Sequence, residues 1–288
     1  MEPFDSCLKN SGHTDHLIDL AIAEDVGSGD ITTNHLPDPL AMGRGEIVAK
    51  EFIVVAGLEI AKRTFEKFEP DVNFSTNFKD GDVAQAKDVI AEITGLMRTL
   101  LTGERTALNF LQRLSGIATN VRSYVEEMKE EKIRLVDTRK TVPGWRVLDK
   151  YAVRVGGAHN HRMGLYDGVL IKDNHIEAFG GIKNAVEHIR NRVSHLIKIE
   201  IETSDLNEVN QALGAGADII MLDNMGLEEI KGAVDLINGQ AIVEVSGRVC
   251  KGNLQRLAKT GVDIVSVGAL IHAAVFVDIS MRITPSSS

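Results

Sequence analysis

Between Asp137 and His175 the chain concentrates side chains suited to binding anions. From Thr138 to Lys172 it carries Arg139, Lys140, Arg146, Lys150, Arg154, Arg162 and Lys172, against only Asp149 and Asp167. The formal net charge of the whole chain is -9, so this stretch is a basic island in an acidic protein. His159 and His161 add two further donors, and Pro143, Gly144, Gly156, Gly157, Gly164 and Gly168 divide the run into tight turns. Guanidinium forks and ammonium groups fixed at turns are what carboxylate and phosphate recognition demands. An island of this size suits a small polyanion, whereas a nucleic-acid surface needs a wider basic face.

Several of these residues admit plainer roles. Arg139-Lys140 would pass for solvated surface, but the pair follows an apolar run and precedes the Pro143-Gly144 turn. His159-Asn160-His161 has the spacing of a metal site. No further His, Cys or carboxylate nearby in sequence completes a ligand pattern, so no direct metal site is expected and His161 reads as a hydrogen-bond donor to a ligand. His175 reads equally well as a buried structural residue. Lys172 closes the apolar run VLIK and could be a Schiff-base nucleophile or an anion-binding cation. Fold alone does not decide between these. Lys198, Glu200 and Glu202 alternate along IKIEIE and so share one face, where Lys198 and Glu200 could pair as an internal polar layer.

The elements that must hold these residues are legible. Short β-branched runs recur at IRLVD (133–137), VLIK (169–172), IKIEIE (197–202), IIML (219–222), AIVEV (241–245) and DIVSV (263–267). Helical patterns lie between several of them, over 182–193 and 206–213, the latter stopped by Gly214-Ala215-Gly216. Strand–helix alternation means a parallel sheet. Asp137, Lys172, Glu202, Asp223, Ser246 and Gly268 each stand at the carboxyl end of a run, and in a barrel those ends share one face. An open doubly wound sheet would use mainly its switch point. An α/β, TIM-like barrel with fewer than eight strands is therefore expected. The loops bearing Ser246-Gly247 and Gly268 stand where such barrels commonly hold phosphate through backbone N–H groups.

The first 130 residues read differently. Runs 43–55, 72–77 and 88–95 suggest antiparallel strands, with a turn at Lys79-Asp-Gly-Asp82, and 58–68 suggests a helix. A longer helix is expected over 98–114, with Leu100, Leu101, Leu108 and Leu111 in one stripe, Glu104 inside it and Arg105 on its flank. A carboxylate in an apolar stripe is costly unless paired. This is an amino-terminal α/β sandwich domain, assigned to 1–115 and joined by 275–288, beside a barrel over 116–274.

Composition supports a folded enzyme-sized protein. The chain has 288 residues, 43% hydrophobic and 25% charged, ample for a core and unlike a disordered chain. Its two cysteines, Cys7 and Cys250, form no CxxC or ligand pattern, as suits a reducing compartment. MEPFDSCLKN shows no signal-peptide pattern, and no run approaches the roughly 20 apolar residues of a membrane span. A cytoplasmic protein with a frayed tail at Ser286–Ser288 is expected, binding neither nucleic acid nor membrane.

The motifs DTRKTVPGWR (137–146) and KYAVRVGGAHNHRMGLYDGVLIKDNHI (150–176) resemble the signature of the quinolinate phosphoribosyltransferases. The likeness extends from LAIAEDVGSGDITT near the start to VDIVSVGALIHAA near the end. It implies transfer of phosphoribose from phosphoribosyl pyrophosphate to quinolinate with decarboxylation, giving nicotinate mononucleotide, pyrophosphate and CO2 for NAD synthesis. It implies that Arg139, Lys140, His161, Arg162 and Lys172 bind the two quinolinate carboxylates, without a covalent bond at Lys172. Glu202 and Asp223 match residues holding the ribose hydroxyls, and carboxylates there can also stabilise an oxocarbenium-like centre. Ser246, Gly247, Arg248, Gly268 and His272 match the phosphate side, with Glu104, Lys198 and Glu200 as lesser candidates. Arg248 stands where Gly or Asn is usual, and Ile271 where Thr is usual. Mg2+ would arrive with phosphoribosyl pyrophosphate, and the likeness implies a homodimer, or a higher oligomer, in which Arg105 enters the partner's site. Rival readings are a transferase acting on nicotinate, a Schiff-base aldolase using Lys172, and a non-catalytic ligand sensor or metal-transport accessory protein.

Overall fold

The computed structural model describes residues 12–128 and 133–286; Cys7, the rest of the amino-terminal segment and the last two serines of the expected tail lie outside them. The chain divides into two compact units, Met1–Arg122 with Thr141–Gly157 and Ala273–Ser288, and Ser123–Lys140 with Ala158–His272.

In the first unit, β1 (Met42–Ala49), β3 (Asn73–Ser75), β5 (Val89–Leu96) and β12 (Ile279–Pro285) form an antiparallel sheet in the order β12-β1-β5-β3. The short strands β2 (Ile53–Val54) and β4 (Val83–Ala84) pair beside it. Helix α1 (Gly12–Val26) precedes the sheet. Helix α2 (Leu58–Glu66) buries Leu58, Ile60, Ala61 and Phe65, the stripe its three-to-four spacing dictates. Leu58, Ala61 and Phe65 join Ile47, Ile93 and Ile279 from the sheet and Leu100, Leu108 and Leu111 from helix α3 (Met97–Glu127) in one core. Leu101, expected in the stripe, is instead 39% exposed.

Helix α3 runs well past the stop expected at Leu114. A glycine is unfavourable inside a helix, but Gly116 is a packing glycine. A Cβ there would lie 2.0 Å from the carbonyl oxygen of Val275, so its missing side chain admits the returning strand connection. The stripe continues through Ala118 and Val121, both fully buried.

By its contacts the first unit also includes helix α4 (Arg146–Gly156), expected in the barrel, and α3 as far as Arg122. The reason is a set of polar and aromatic contacts. Arg113 donates to the buried Asp149 from Nε at 3.0 Å and from Nη2 at 2.7 Å, and its guanidinium lies over Trp145, which stacks on Phe110. Tyr151 donates its hydroxyl hydrogen to Asp80 at 2.5 Å.

In the second unit six parallel strands lie in the order β6-β11-β10-β9-β8-β7: β6 (Arg134–Val136), β7 (Val169–Ile171), β8 (Ile199–Thr203), β9 (Ile219–Asp223), β10 (Ile242–Ser246) and β11 (Ile264–Ser266). Every sequential neighbour pairs except β6 with β7, and the first strand pairs with the last. That is the order of a closed barrel with one seam left open. Helices α5 (Asp173–Phe179), α6 (Ile182–Arg190), α7 (Leu206–Gly214), α8 (Leu227–Ile237), α9 (Lys251–Ala258) and α10 (Ala269–His272) follow the strands. Outward residues such as Ile199, Ile201, Val243 and Val245 are buried, as are Ala185, Val209 and Ala233 of the helices. The alternation leaves Glu200, Glu202, Met221, Asp223, Glu244 and Ser246 on the inner face.

Candidate active site

The seam between β6 and β7 is where the basic segment is secured. Asp137, fully buried at the end of β6, accepts hydrogen bonds from the His161 backbone N–H at 2.9 Å and the Asn160 amide at 2.6 Å. Its own N–H donates to the His159 carbonyl at 3.1 Å, and the His159 N–H donates to Leu135 at 2.9 Å. One carboxylate and one isolated parallel bridge, Val136 to His159, thus carry His161 and Arg162 to the carboxyl ends of the strands.

Those ends surround a cavity of about 710 Å3. Arg139, Lys140, His161, Arg162, Lys172, Glu202, Asp223, Ser246, Gly247, Arg248, Gly268 and His272 all line it. Lys172 pairs with Glu202, so it is a solvated, ion-paired cation with 45% of its side chain exposed. That setting suits anion binding and gives an amine little reason to act as a Schiff-base nucleophile. The Lys172 N–H donates to His175 Nδ1 at 3.0 Å; His175 is exposed and caps α5 rather than being buried. Arg162 donates from Nη1 to the Gly168 carbonyl at 2.9 Å. Burial first, and the nearby Arg139 second, weaken the hold of Arg162 on its proton, with the Glu200 and Asp167 carboxylates opposing them.

Across the loops that follow β9, β10 and β11 the backbone is tightly fitted. Gly247 has φ 84°, and a Cβ there would lie 2.4 Å from Asn224 Oδ1. Asn224 donates from Nδ2 to Asp223 at 2.6 Å and from its backbone to the Ser246 carbonyl at 3.0 Å, fixing the Asp223 carboxylate against the Ser246-Gly247 turn. A Cβ on Gly268 would lie 2.9 Å from Lys140 Cδ, so this glycine lets Lys140 cross close to the backbone. Arg248 has φ 52°, the left-handed region, which explains why Gly or Asn would be natural there.

Beneath this cavity lies a polar layer whose members differ from the Lys198–Glu200 pair the sequence suggests. Glu200 and Glu244 are 4% and 2% exposed, and His161 Nε2 lies 3.1 Å from Glu200 Oε2 and 3.6 Å from Glu244 Oε1. Glu200 therefore faces His161 and Glu244 and not Lys198, which is exposed at the other end of β8. Burial first and the Glu200 charge second push the Glu244 carboxyl up to about 7, with His161 opposing them. His161 Nδ1 accepts the Arg162 backbone N–H at 2.8 Å, so the ring proton sits on Nε2 and points at the carboxylates. Both ring nitrogens are thus engaged inside the protein, and the expected donation to a ligand gives way to this internal bond. His161, Glu200 and Glu244 lie close enough to hold a metal ion, yet a protonated Nε2 offers a cation no lone pair. The neighbouring sequence offers His161 no carboxylate in a ligand pattern, but β8 and β10, remote in sequence, each point a glutamate toward it.

Glu104 and Arg105 belong to the first unit and do not line the cavity. Glu104 is half-buried, its carboxyl raised by burial with Arg105 opposing, while Arg105 is exposed. Besides Glu244, sequence reasoning missed Thr138, Asn224 and Ser266 in the lining, and Asp137 as the clamp of the His161 loop. The glutamate in the apolar run AIVEV was the available signal for Glu244.

Known proteins match this chain along its length. The model of the quinolinate phosphoribosyl transferase N-terminal domain matches residues 30–115, and that of the C-terminal domain matches residues 117–282. A Synechocystis protein named "probable nicotinate-nucleotide pyrophosphorylase (carboxylating)" is 46% identical over 265 residues, 91% of this chain and 90% of its own. A Bacillus subtilis protein of the same name is 42% identical over 264 residues, 92% of this chain and 91% of its own. The crystal structure of NadC from Streptococcus pyogenes superimposes with a TM-score of 0.91 at 42% identity, covering 95% of this chain and 97% of that one. The chain belongs to the quinolinate phosphoribosyl transferase family.

Proposed function

We propose that this protein transfers the phosphoribosyl group of phosphoribosyl pyrophosphate to quinolinate and releases pyrophosphate and CO2, leaving nicotinate mononucleotide for NAD synthesis. The observation that carries this reading is the joint lining of one cavity by Arg139, Lys140, Arg162 and Lys172 with Glu202 and Asp223. A pyridine-2,3-dicarboxylate needs several fixed cations, because each ion pair must offset the desolvation of both partners. A ribose diol needs carboxylate acceptors, and Glu202 and Asp223 stand at the ends of adjacent strands.

In this reading the cations hold the ring with its nitrogen toward the anomeric carbon, and catalysis is positioning plus electrostatics. Glu202 and Asp223 take the ribose hydroxyls and stabilise positive charge developing at the ribosyl centre. Ser246, Gly247, Arg248, Gly268 and His272 take the 5′-phosphate. Magnesium bound to phosphoribosyl pyrophosphate would supply charge neutralisation for the pyrophosphate leaving group. Lys172 already pairs with Glu202, and Asn224 bonds Asp223, so these carboxylates would hold such an ion mainly through the substrate and water rather than in a protein cage.

The working molecule in this reading is a cytoplasmic homodimer whose active sites are shared, with Arg105 of one chain completing the partner's site. Exposure of Arg105 on α3 and the free, exposed thiol of Cys250 support it. Among the described residues no helix is long and apolar enough to cross a membrane.

The test is an end-point assay with phosphoribosyl pyrophosphate and magnesium, comparing quinolinate with nicotinate and trapping CO2. Quinolinate-dependent pyrophosphate release with equal CO2 is the expected result. Turnover of nicotinate without CO2, or no turnover of either, would overturn the assignment.

A further inference from the structure

The inner face of the barrel holds two cavities, and Glu244 belongs to both. The upper one is the candidate active site. The lower one, of about 350 Å3, reaches from His161 and Glu244 to Arg134, Leu196 and Lys198 at the amino ends of the strands. The layer of His161, Glu200 and Glu244 is therefore a partition between the substrate side and an opening at the far end of the barrel.

This partition is short of hydrogens. Glu200 Oε1 and Glu244 Oε1 are both buried and neither has a hydrogen-bond partner. Two carboxylates supply only acceptors, and the Nε2 proton of His161 already lies at hydrogen-bond distance from Glu200 Oε2. A proton on Glu244 resolves the shortage, because it turns one acceptor into a donor facing the other. The Glu244 carboxyl, pushed up to about 7, carries that proton in roughly half of the molecules at neutral pH and in more of them below it. The charged and titratable groups around it are His161 and Arg162 from the seam, Glu200 from β8 and, across the lower cavity, Arg134, Asp167 and Lys198. Ser266 of β11 also lies beside it and opposes the upward shift, while its hydroxyl donates to the Val245 carbonyl at 3.4 Å.

Resting on the function proposed above, we propose that Glu244 is the acid that protonates the ring carbon vacated by CO2. The bond between ring carbon 2 and its carboxylate breaks, and the electron pair stays on carbon 2 beside the positively charged ring nitrogen. CO2 leaves. The Glu244 O–H bond then breaks, its proton forms the new C–H bond, and Glu244 is left as a carboxylate. Water in the lower cavity returns one proton from solvent, closing the balance. A carboxyl poised near neutrality is a stronger acid than the ammonium groups of the same cavity, which must stay charged to hold the carboxylates. While protonated it also places no negative charge against the substrate.

The experiment is a rapid-quench single turnover of the full-length protein with quinolinate, phosphoribosyl pyrophosphate and magnesium. It follows pyrophosphate, CO2 and the carboxylated mononucleotide separately between pH 5.5 and 9. In the wild type the CO2 step slows as pH rises through about 7. Glu244→Gln accumulates the carboxylated mononucleotide, roughly tenfold or more above wild type, and its CO2 step loses the pH dependence. Glu200→Gln keeps the acid but removes the neighbouring charge, so the fall in the CO2 step moves to lower pH. Glu244→Gln releasing CO2 in step with pyrophosphate and with the wild-type pH profile overturns the proposal. So does an unshifted profile in Glu200→Gln, which carries the test alone if Glu244→Gln does not fold. A wild type that releases no pyrophosphate with quinolinate defeats the functional reading itself, and this proposal with it.

Discussion

The cations of the site differ in how they are held, and their losses should differ in kind. Arg162 is fixed to the Gly168 carbonyl and partly desolvated, whereas Lys172 is more exposed and tied to Glu202. A hydrogen bond to a charged group is worth roughly 1.5–3 kcal/mol. Arg139→Ala, Arg162→Ala and Lys172→Ala should therefore each lower kcat/KM for quinolinate by about tenfold or more, with unfolding midpoints changed most in Arg162→Ala. Near-normal kcat/KM in all three would remove them from the site. Arg248 is a different case. Its φ of 52° costs a residue bearing a Cβ about 1 kcal/mol that glycine escapes. Arg248→Gly should raise stability by up to about that amount in urea titration, offset in part by the entropy of an added glycine. If the guanidinium grips the 5′-phosphate, KM for phosphoribosyl pyrophosphate rises in the same variant; an unchanged KM would show that the side chain points to solvent.

At the scale of elements, the long helix α3 organises the first unit because one residue in it is too small to obstruct its neighbour. Gly116 lets the chain at Val275 pass within contact of the helix backbone, and β12 then pairs with β1 along seven residues. Gln112 secures the same connection, its side chain donating to the Ile279 carbonyl at 3.0 Å. Gly116→Ala would improve helix propensity by about 1 kcal/mol in isolation. In the protein the added methyl meets a backbone oxygen that cannot rotate away, and overpacking of this kind costs typically 1–3 kcal/mol or more. The net effect expected is destabilisation, read as a lower midpoint in chemical unfolding. A neutral or stabilised variant would mean that the Val275 segment moves aside freely.

At the scale of the whole molecule, the feature to test is the sharing of sites between chains. Arg105 lies on α3 in the first unit, while the cations of the cavity belong to the second. If Arg105 completes the partner's site, Arg105→Ala and Lys172→Ala homodimers are each nearly inactive. Mixed dimers then hold one intact site and one doubly damaged site. After subunit exchange the recovered activity should approach about a quarter of wild type, because random pairing makes about half the dimers mixed. Demonstrated exchange with no recovery would assign Arg105 to its own chain or to structure.

The sequence by itself determined the fold class, the six strands of the parallel sheet and the side of it that carries chemistry. The reason is local: β-branched runs, polar strand ends and turn residues act through neighbours a few positions away, and period-two alternation already put Glu200 and Glu202 on one face. It also marked Lys172, Glu202, Asp223, Ser246 and Gly268 as strand-end residues, and all five line the cavity; the resemblance, not the pattern, singled out Arg162, Arg248 and His272. Only the tertiary structure decided what depends on residues brought together from afar. Helix α3 continues past Leu114 because Gly116 admits Val275 beside it, and α4 packs with the first unit because Arg113 engages Asp149 and Trp145. His161 became an internal donor because β8 and β10 close a carboxylate pair beneath it. Burial and mutual repulsion, which set where Glu244 holds its proton, arise only when strands remote in sequence share one enclosed interior.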